Sequence, residues 1–225
     1  MKLPVSEIYP AIQGEGQYRT KALFIRVWGC NLRCQFNGKC CDTPYAVIEG
    51  DKKQMDPMEV VEEIHKNGIK HIVFTGGEPL LYQKHLWEII GQLTGEHFIE
   101  VETNGTIPVV REMKEYVDQF NISVKLKSSK QMKGYSRQRI NLDALNEFPL
   151  GKSTFKFVVS SEDDIREIKK IEEIRPDIPI TLMPEGETQE QVLKNLPETL
   201  ELCMKHNYGF TNRDHILAFG KKRGV

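Results

Sequence analysis

Short β-branched runs alternate with amphipathic helical stretches along most of this 225-residue chain, and a chain patterned in that way folds around a largely parallel sheet. KALFIRVWG predicts a strand from Lys21, and Asp56-Pro57 opens a helix with an acidic cap, a proline in its first turn and Glu59 three residues after the cap, closing at Gly68. HIVFTGG then predicts a strand running into a glycine turn, Leu86 to Leu93 a helix, HFIEVETNG a strand, Val109 to Phe120 a helix and ISVKLK a strand. TFKFVVSS, Asp163 to Ile174, PITLMPEG and Thr188 to His206 continue as strand, helix, strand and longer helix. Right-handed crossovers between parallel strands follow, and about six strands fall short of the eight of a closed barrel. The expectation is an α/β fold, a partial TIM-like barrel of about six parallel strands in a single domain over residues 1–225, with no internal repeat and no low-complexity linker.

Charge and hydropathy exclude several classes. Lysine and arginine number 31 against 32 acids, so no global basic field argues for direct nucleic-acid binding. The stretch MKLPVSEIYPAIQGEG lacks an apolar signal core, and no run of about 18 apolar residues exists to span a membrane. A cytoplasmic protein with reduced cysteines is expected, which disfavours structural disulfides.

Four of the five cysteines fall in the loop 29–45, GCNLRCQFNGKCCDTPY. Thiolates gathered on one loop suit an iron-sulfur cluster that keeps one iron open for a ligand. Zinc is the competing reading, although adjacent Cys40 and Cys41 strain a closed four-thiolate site, and the tight Cys-x-x-Cys of a redox disulfide is absent. In folds of this kind chemistry sits at the carboxyl ends of the strands. The polar signals of the chain fall there: the cysteine loop, Thr75-Gly76-Gly77-Glu78-Pro79, Glu102-Thr103-Asn104-Gly105, Ser123 with Lys125, and Met183-Pro184. Glycines admit close backbone approach to a ligand, and Glu78 can accept hydrogen bonds from an ammonium group.

A cysteine loop after the first strand, followed about 35 residues later by Gly-Gly-Glu-Pro, resembles the radical S-adenosylmethionine superfamily. The resemblance implies a 4Fe-4S cluster held by three cysteines, with S-adenosylmethionine bound at the open iron. The usual spacing would put the third cysteine at Asn37, so an insertion of four residues is implied and the third ligand moves to Cys41, with Cys40 as the alternative. Cys41 is followed by Asp42-Thr43, as in one family of the superfamily, the 7-carboxy-7-deazaguanine synthases, which the chain resembles nearly end to end.

That resemblance implies that Ile12, Gln13, Gly14 and Glu15 form a substrate loop, that Arg26 binds the substrate carboxylate, and that Thr75 and His215 also face the substrate. It implies cofactor contacts from Cys40, Cys41, Asp42, Gly77, Glu78, Thr103, Ser123, Val124 and Lys125, and from Leu182, Met183, Pro184 and Glu185. Cys30, Cys34 and Cys41 would hold the cluster and Thr43 would contact Mg²⁺. The implied reaction converts 6-carboxy-5,6,7,8-tetrahydropterin to 7-carboxy-7-deazaguanine with loss of ammonia. A homodimer, a flavodoxin or ferredoxin as electron donor, and a capping tail at about 208–225 are implied as well.

The residue chemistry agrees, since a pterin edge of donors and acceptors suits Gln13, Glu15 and loop backbone, and its carboxylate suits a guanidinium. Taken singly, QGEG also reads as a turn, Arg26 as a surface charge, His215 as structural, the final KKRGV as a solvated tail and Cys203 as a small buried hydrophobe. An enzyme activating a glycyl radical, a noncatalytic zinc protein and a radical enzyme of different substrate choice remain as rival functions.

Overall fold

The computed structural model describes residues 2–36, 39–41, 43–93, 95–133 and 138–225. The chain starts with β1 (Leu3–Ile12) and β2 (Lys21–Val27), passes through short β3 (Cys34–Phe36) and β4 (Lys39–Cys40), and reaches β5 (Lys53–Met55). Then follow α1 (Pro57–Asn67), β6 (His71–Gly76), α2 (Gln83–Ile90), β7 (Phe98–Thr103), α3 (Arg111–Tyr116), β8 (Gln119–Ile122), β9 (Lys130–Gln131) and α4 (Leu142–Asn146). The last third comprises β10 (Ser153–Val159), α5 (Glu162–Ile174), β11 (Ile180–Pro184), α6 (Gln189–His206), β12 (Gly209–Phe210) and α7 (Asp214–Phe219).

Among the described residues the main sheet has nine strands in the order β12-β11-β10-β8-β7-β6-β2-β1-β5. From β2 to β12 every pairing is parallel, and six of those strands have four residues or more, which is the open barrel the alternation predicts. β1 and β5 add antiparallel at the β2 edge. The sequence reading did not include β1; Pro10 lies beyond the three residues of β1 that β5 covers, where β1 is an edge strand and a proline is tolerated.

A second difference lies between Val109 and Lys127. The helix expected to reach Phe120 ends at Tyr116, and the strand expected at Ile122–Lys127 occupies Gln119–Ile122 instead. Phe120 and Ile122, two apart and fully buried, lock that segment between β7 and β10, so burial at period two overrides the local helical pattern. Ser123 to Lys127 are thereby released to form the loop above the strand.

The helical reading of residues 56–68 is matched in full: Asp56 and Glu59 make the reciprocal capping box, and Gly68 closes α1 at φ 67°, a left-handed conformation that glycine adopts without cost. α1, α2 and α5 bury Val60, Ile64, Leu86, Ile89, Ile165 and Ile168 against one face of the sheet. The opposite face carries a small apolar cluster of Ala22, Phe24 and Val73 and, towards β7 and β10, charged groups. Within β7, Ile99 and Val101 enter the apolar core, while Glu100 and Glu102 alternate to that opposite face. No described helix is long and apolar enough to cross a membrane.

Candidate active site

A cavity of about 660 Å³ opens over the carboxyl ends of the parallel strands, with the cysteine loop on one side and the loop after β1 on the other. The root of the cysteine loop is fixed by the two glycines after β6. A Cβ on Gly77 would lie 2.0 Å from Gly29 O, and one on Gly76, whose φ is 132°, would lie 2.2 Å from Val27 O. That contact lets Gly77 N donate to Val27 O at 3.1 Å and Glu78 N to Gly29 O at 2.9 Å.

Beyond the root, β3 and β4 pair with Gln35 opposite Cys40. Continuing the register places Cys41 opposite Cys34, and Cys41 N donates to Cys34 O at 3.0 Å. Cys30, Cys34, Cys40 and Cys41 all line the cavity, with the Sγ atoms of Cys40 and Cys41 3.9 Å apart. Amide donors point at the sulfurs: Leu32 N and Asn104 Nδ2 reach Cys30 Sγ at 3.4 and 3.8 Å, and Gln131 Nε2 reaches Cys34 Sγ at 3.5 Å. Burial, with Glu78 nearby, pushes the Cys30 thiol up to about 11. Thr43 Oγ1 lies 3.9 Å from Cys41 Sγ.

Charged groups form the other wall. Lys156 Nζ stands 2.8 Å from Glu15 Oε2 and 3.7 Å from Glu102 Oε1. Arg213 Nε and His215 Nδ1 approach Glu15 Oε1 at 3.5 and 3.7 Å. Burial opposes ionisation of Glu15, but Lys156, Arg213 and His215 outweigh it and hold the carboxyl well below the usual range. Thr75 Oγ1 donates to Glu102 Oε2 at 2.7 Å. Arg26 donates to Tyr9 Oη at 2.6 Å, lies 3.4 Å from Glu7, and has the rings of Tyr9 and Tyr45 at 5.7 and 5.8 Å.

Most of the residues named from sequence line this cavity: Ile12, Gln13, Gly14, Glu15, Arg26, Thr43, Thr75, Gly77, Thr103, Ser123, Lys125, Met183, Glu185, His215 and the four loop cysteines. Four expected cofactor contacts are placed elsewhere. Glu78 has no exposed surface, and its carboxylate accepts from Leu80 N at 3.0 Å, Thr103 Oγ1 at 2.7 Å and Asn104 N at 2.7 Å, which braces the turn below the cavity. Val124 and Leu182 belong to the apolar core, and Pro184 is buried because strand alternation turns it with Leu182 away from Met183. Asp42 lies outside the described residues.

The terminal residues are exposed but attached. Lys221 pairs with Glu187 at 3.3 Å, Arg223 pairs with Glu7 and stacks on Tyr45, and the segment Gly220–Val225 lines the cavity mouth. Sequence reasoning placed Glu102 at a strand end without a role, and missed Tyr9, Lys156 and Arg213. The available signal was a lone charge at period two inside apolar runs, as in FIEVET and TFKFVV, since a parallel strand covered on both faces has no place for one.

The radical SAM superfamily model matches residues 28–193. A 7-carboxy-7-deazaguanine synthase of Rhodopirellula baltica is 33% identical over 240 residues, covering 99% of this chain and 89% of that protein. The chain belongs to the 7-carboxy-7-deazaguanine synthases of the radical SAM superfamily. A second synthase of this name, from Pyrobaculum aerophilum, is 31% identical and covers 99% of this chain and 97% of that protein. Among solved structures, Streptococcus suis SuiB bound to S-adenosylmethionine superposes with a TM-score of 0.56 at 16% identity, a likeness of fold; it covers 82% of this chain, which spans 48% of SuiB.

Radical SAM membership brings a 4Fe-4S cluster and S-adenosylmethionine as cofactors. The donor set of this synthase fits them: soft thiols on one loop, N–H groups directed at two of the sulfurs, and cavity space beside them.

Proposed function

We propose that this synthase converts 6-carboxy-5,6,7,8-tetrahydropterin to 7-carboxy-7-deazaguanine with loss of ammonia, in a Mg²⁺-assisted reaction of 7-deazapurine and queuosine biosynthesis. The observation that carries this reading is that one cavity joins the thiol loop to a wall of opposed recognition groups, carboxylates at Glu15 and Glu102 and a guanidinium at Arg26. Arg26, held by Tyr9 and Glu7, receives the substrate carboxylate. Glu15 stays ionised among its cations and accepts N–H groups of the pterin, with Glu102, Thr75 and His215 beside it.

Cys30, Cys34 and Cys41 are the cluster ligands in this reading, because the register sets Cys41 across from Cys34. When bound, the cluster and S-adenosylmethionine supply a carbon radical that takes hydrogen from the substrate. The backbone of Gly77, with Thr103, Ser123, Lys125, Met183 and Glu185, forms the cofactor side of the cavity. Thr43 would offer a hydroxyl oxygen to Mg²⁺, a hard cation that favours oxygen ligands. The Gly220–Val225 segment caps the mouth and limits water entry. A flavodoxin or ferredoxin as reductant and a homodimeric assembly complete the proposal, in a single domain over residues 1–225.

The test is anaerobic reconstitution followed by incubation with dithionite, S-adenosylmethionine, Mg²⁺ and the pterin, reading 7-carboxy-7-deazaguanine by mass spectrometry. Product formation is expected. Cleavage of S-adenosylmethionine without deazaguanine would sink the substrate assignment.

A further inference from the structure

Glu100 has no exposed surface, sits two residues before Glu102 on the same face of β7, and takes no part in the reaction proposed above. Its Oε1 accepts from the side-chain amides of Gln13 and Asn121. Its Oε2 lies 3.0 Å from His71 Nε2, and His71 Nδ1 lies 3.0 Å from Thr20 Oγ1. Gln13 and Thr20 are the two ends of the loop that carries Glu15, and Gln13 N donates to Thr20 O at 2.9 Å to close it. Gly16, within that loop, packs onto the same carboxylate: a Cβ there would stand 2.9 Å from Glu100 Oε1 and 3.1 Å from Asn121 Nδ2. Start and middle of the loop therefore rest on one buried side chain, and its end reaches the same side chain through His71.

The side chain of Gln13 is occupied by this arrangement. Its Nε2 donates to Glu100 and, at 3.1 Å, to Glu102, and its Oε1 accepts from Glu15 N at 3.2 Å. Gln13 is an anchor, which leaves Glu15 and loop backbone as the groups able to read a ligand.

We infer that Glu100 is a positioning residue for the substrate loop, fixing Glu15 through Gln13, Gly16 and Thr20 without touching the substrate. What the loop recognises rests on the proposed function, whereas its anchoring does not. A glutamine at this position keeps every contact: its oxygen accepts from Gln13 and Asn121, and its amide donates to His71 Nε2 while His71 Nδ1–H turns to Thr20. A leucine removes them and leaves buried amides unpaired.

The experiment compares wild type, Glu100→Leu, Glu100→Gln and Gly16→Ala as reconstituted holoenzymes. It reads kcat and KM for the pterin, S-adenosylmethionine cleavage without pterin, and the rate of trypsin cleavage after Arg19, which lies in the loop. Glu100→Leu and Gly16→Ala are expected to raise KM and to speed that cleavage by about tenfold or more, with S-adenosylmethionine cleavage within about twofold of wild type. Glu100→Gln is expected to stay within about threefold of wild type in all three readouts. An unchanged KM and trypsin rate in Glu100→Leu overturns the inference, as does a loss of S-adenosylmethionine cleavage equal to the loss of pterin turnover. If Glu100→Leu does not fold, Gly16→Ala decides by the same readouts, since it moves the loop and leaves the core intact. A wild type that ignores the pterin sinks the substrate reading, and the trypsin rates still decide the anchoring.

Discussion

Lys156 Nζ stands 2.8 Å from Glu15 Oε2 in a pair whose lysine side chain is only 6% exposed. Burial disfavours the lysine charge, but Glu15 and Glu102 outweigh it and raise its pKa. Replacing Lys156 by methionine removes the nearest cation from these carboxylates and is expected to cost about 3 kcal/mol, the usual range for breaking a buried pair. In urea denaturation, Lys156→Met combined with Glu15→Gln should recover part of that loss. A single variant as stable as wild type would mean that the pair does not hold the loop.

Glu15 also fixes a pH dependence. Its pKa in the folded protein lies below the unfolded value, so the stability it contributes is complete above the ordinary carboxylate range and is lost only as pH falls through the depressed value. The stability difference between wild type and Glu15→Gln should therefore stay constant from about pH 8 to about pH 5 and shrink further down. A difference that already declines from pH 7 would show that Lys156 and Arg213 do not hold the charge.

Arg223 places its guanidinium carbon 3.6 Å from the Tyr45 ring centroid and pairs with Glu7, which lies 3.4 Å from Arg26. This row of charges ties the tail to the proposed carboxylate receptor. Because the arginine side chain is half exposed, Arg223→Ala should change stability by less than about 1 kcal/mol while raising the pterin KM about threefold or more. Arg223→Lys should recover little, since an ammonium does not stack as a planar guanidinium does. Steady-state kinetics of the two variants checks both statements.

The register of β3 and β4 separates the adjacent cysteines. Cys41→Ser is expected to abolish the brown absorption of the reconstituted cluster and S-adenosylmethionine cleavage, whereas Cys40→Ser keeps both. The reverse pattern would assign the third thiolate to Cys40.

Thr43→Ala should raise the Mg²⁺ concentration needed for half-maximal turnover about tenfold and leave S-adenosylmethionine cleavage intact. An unchanged Mg²⁺ titration would remove Thr43 from the metal.

The alternation of the main parallel strands with helices, the cysteine loop and the glycine turn after β6 were legible in the sequence, and most of the residues named for the site line one cavity, because period, caps and turn chemistry are local properties that survive in a string of letters. The bracing role of Glu78 was not: its motif marks the right turn, but only the folded contacts show its carboxylate accepting from Leu80, Thr103 and Asn104. Nor was the choice between Gln119 and Ile122 as the start of β8, which depends on where Phe120 and Ile122 find burial. Glu100 and Lys156 read as isolated charges in apolar strands until the parallel sheet turned them onto one face with Glu102. Sequence alone determined most of the main strands and helices and the cofactor loop, because these depend on neighbours along the chain. The tertiary structure decided which charges meet, because residues far apart in sequence are brought within hydrogen-bond reach only by the register of the sheet.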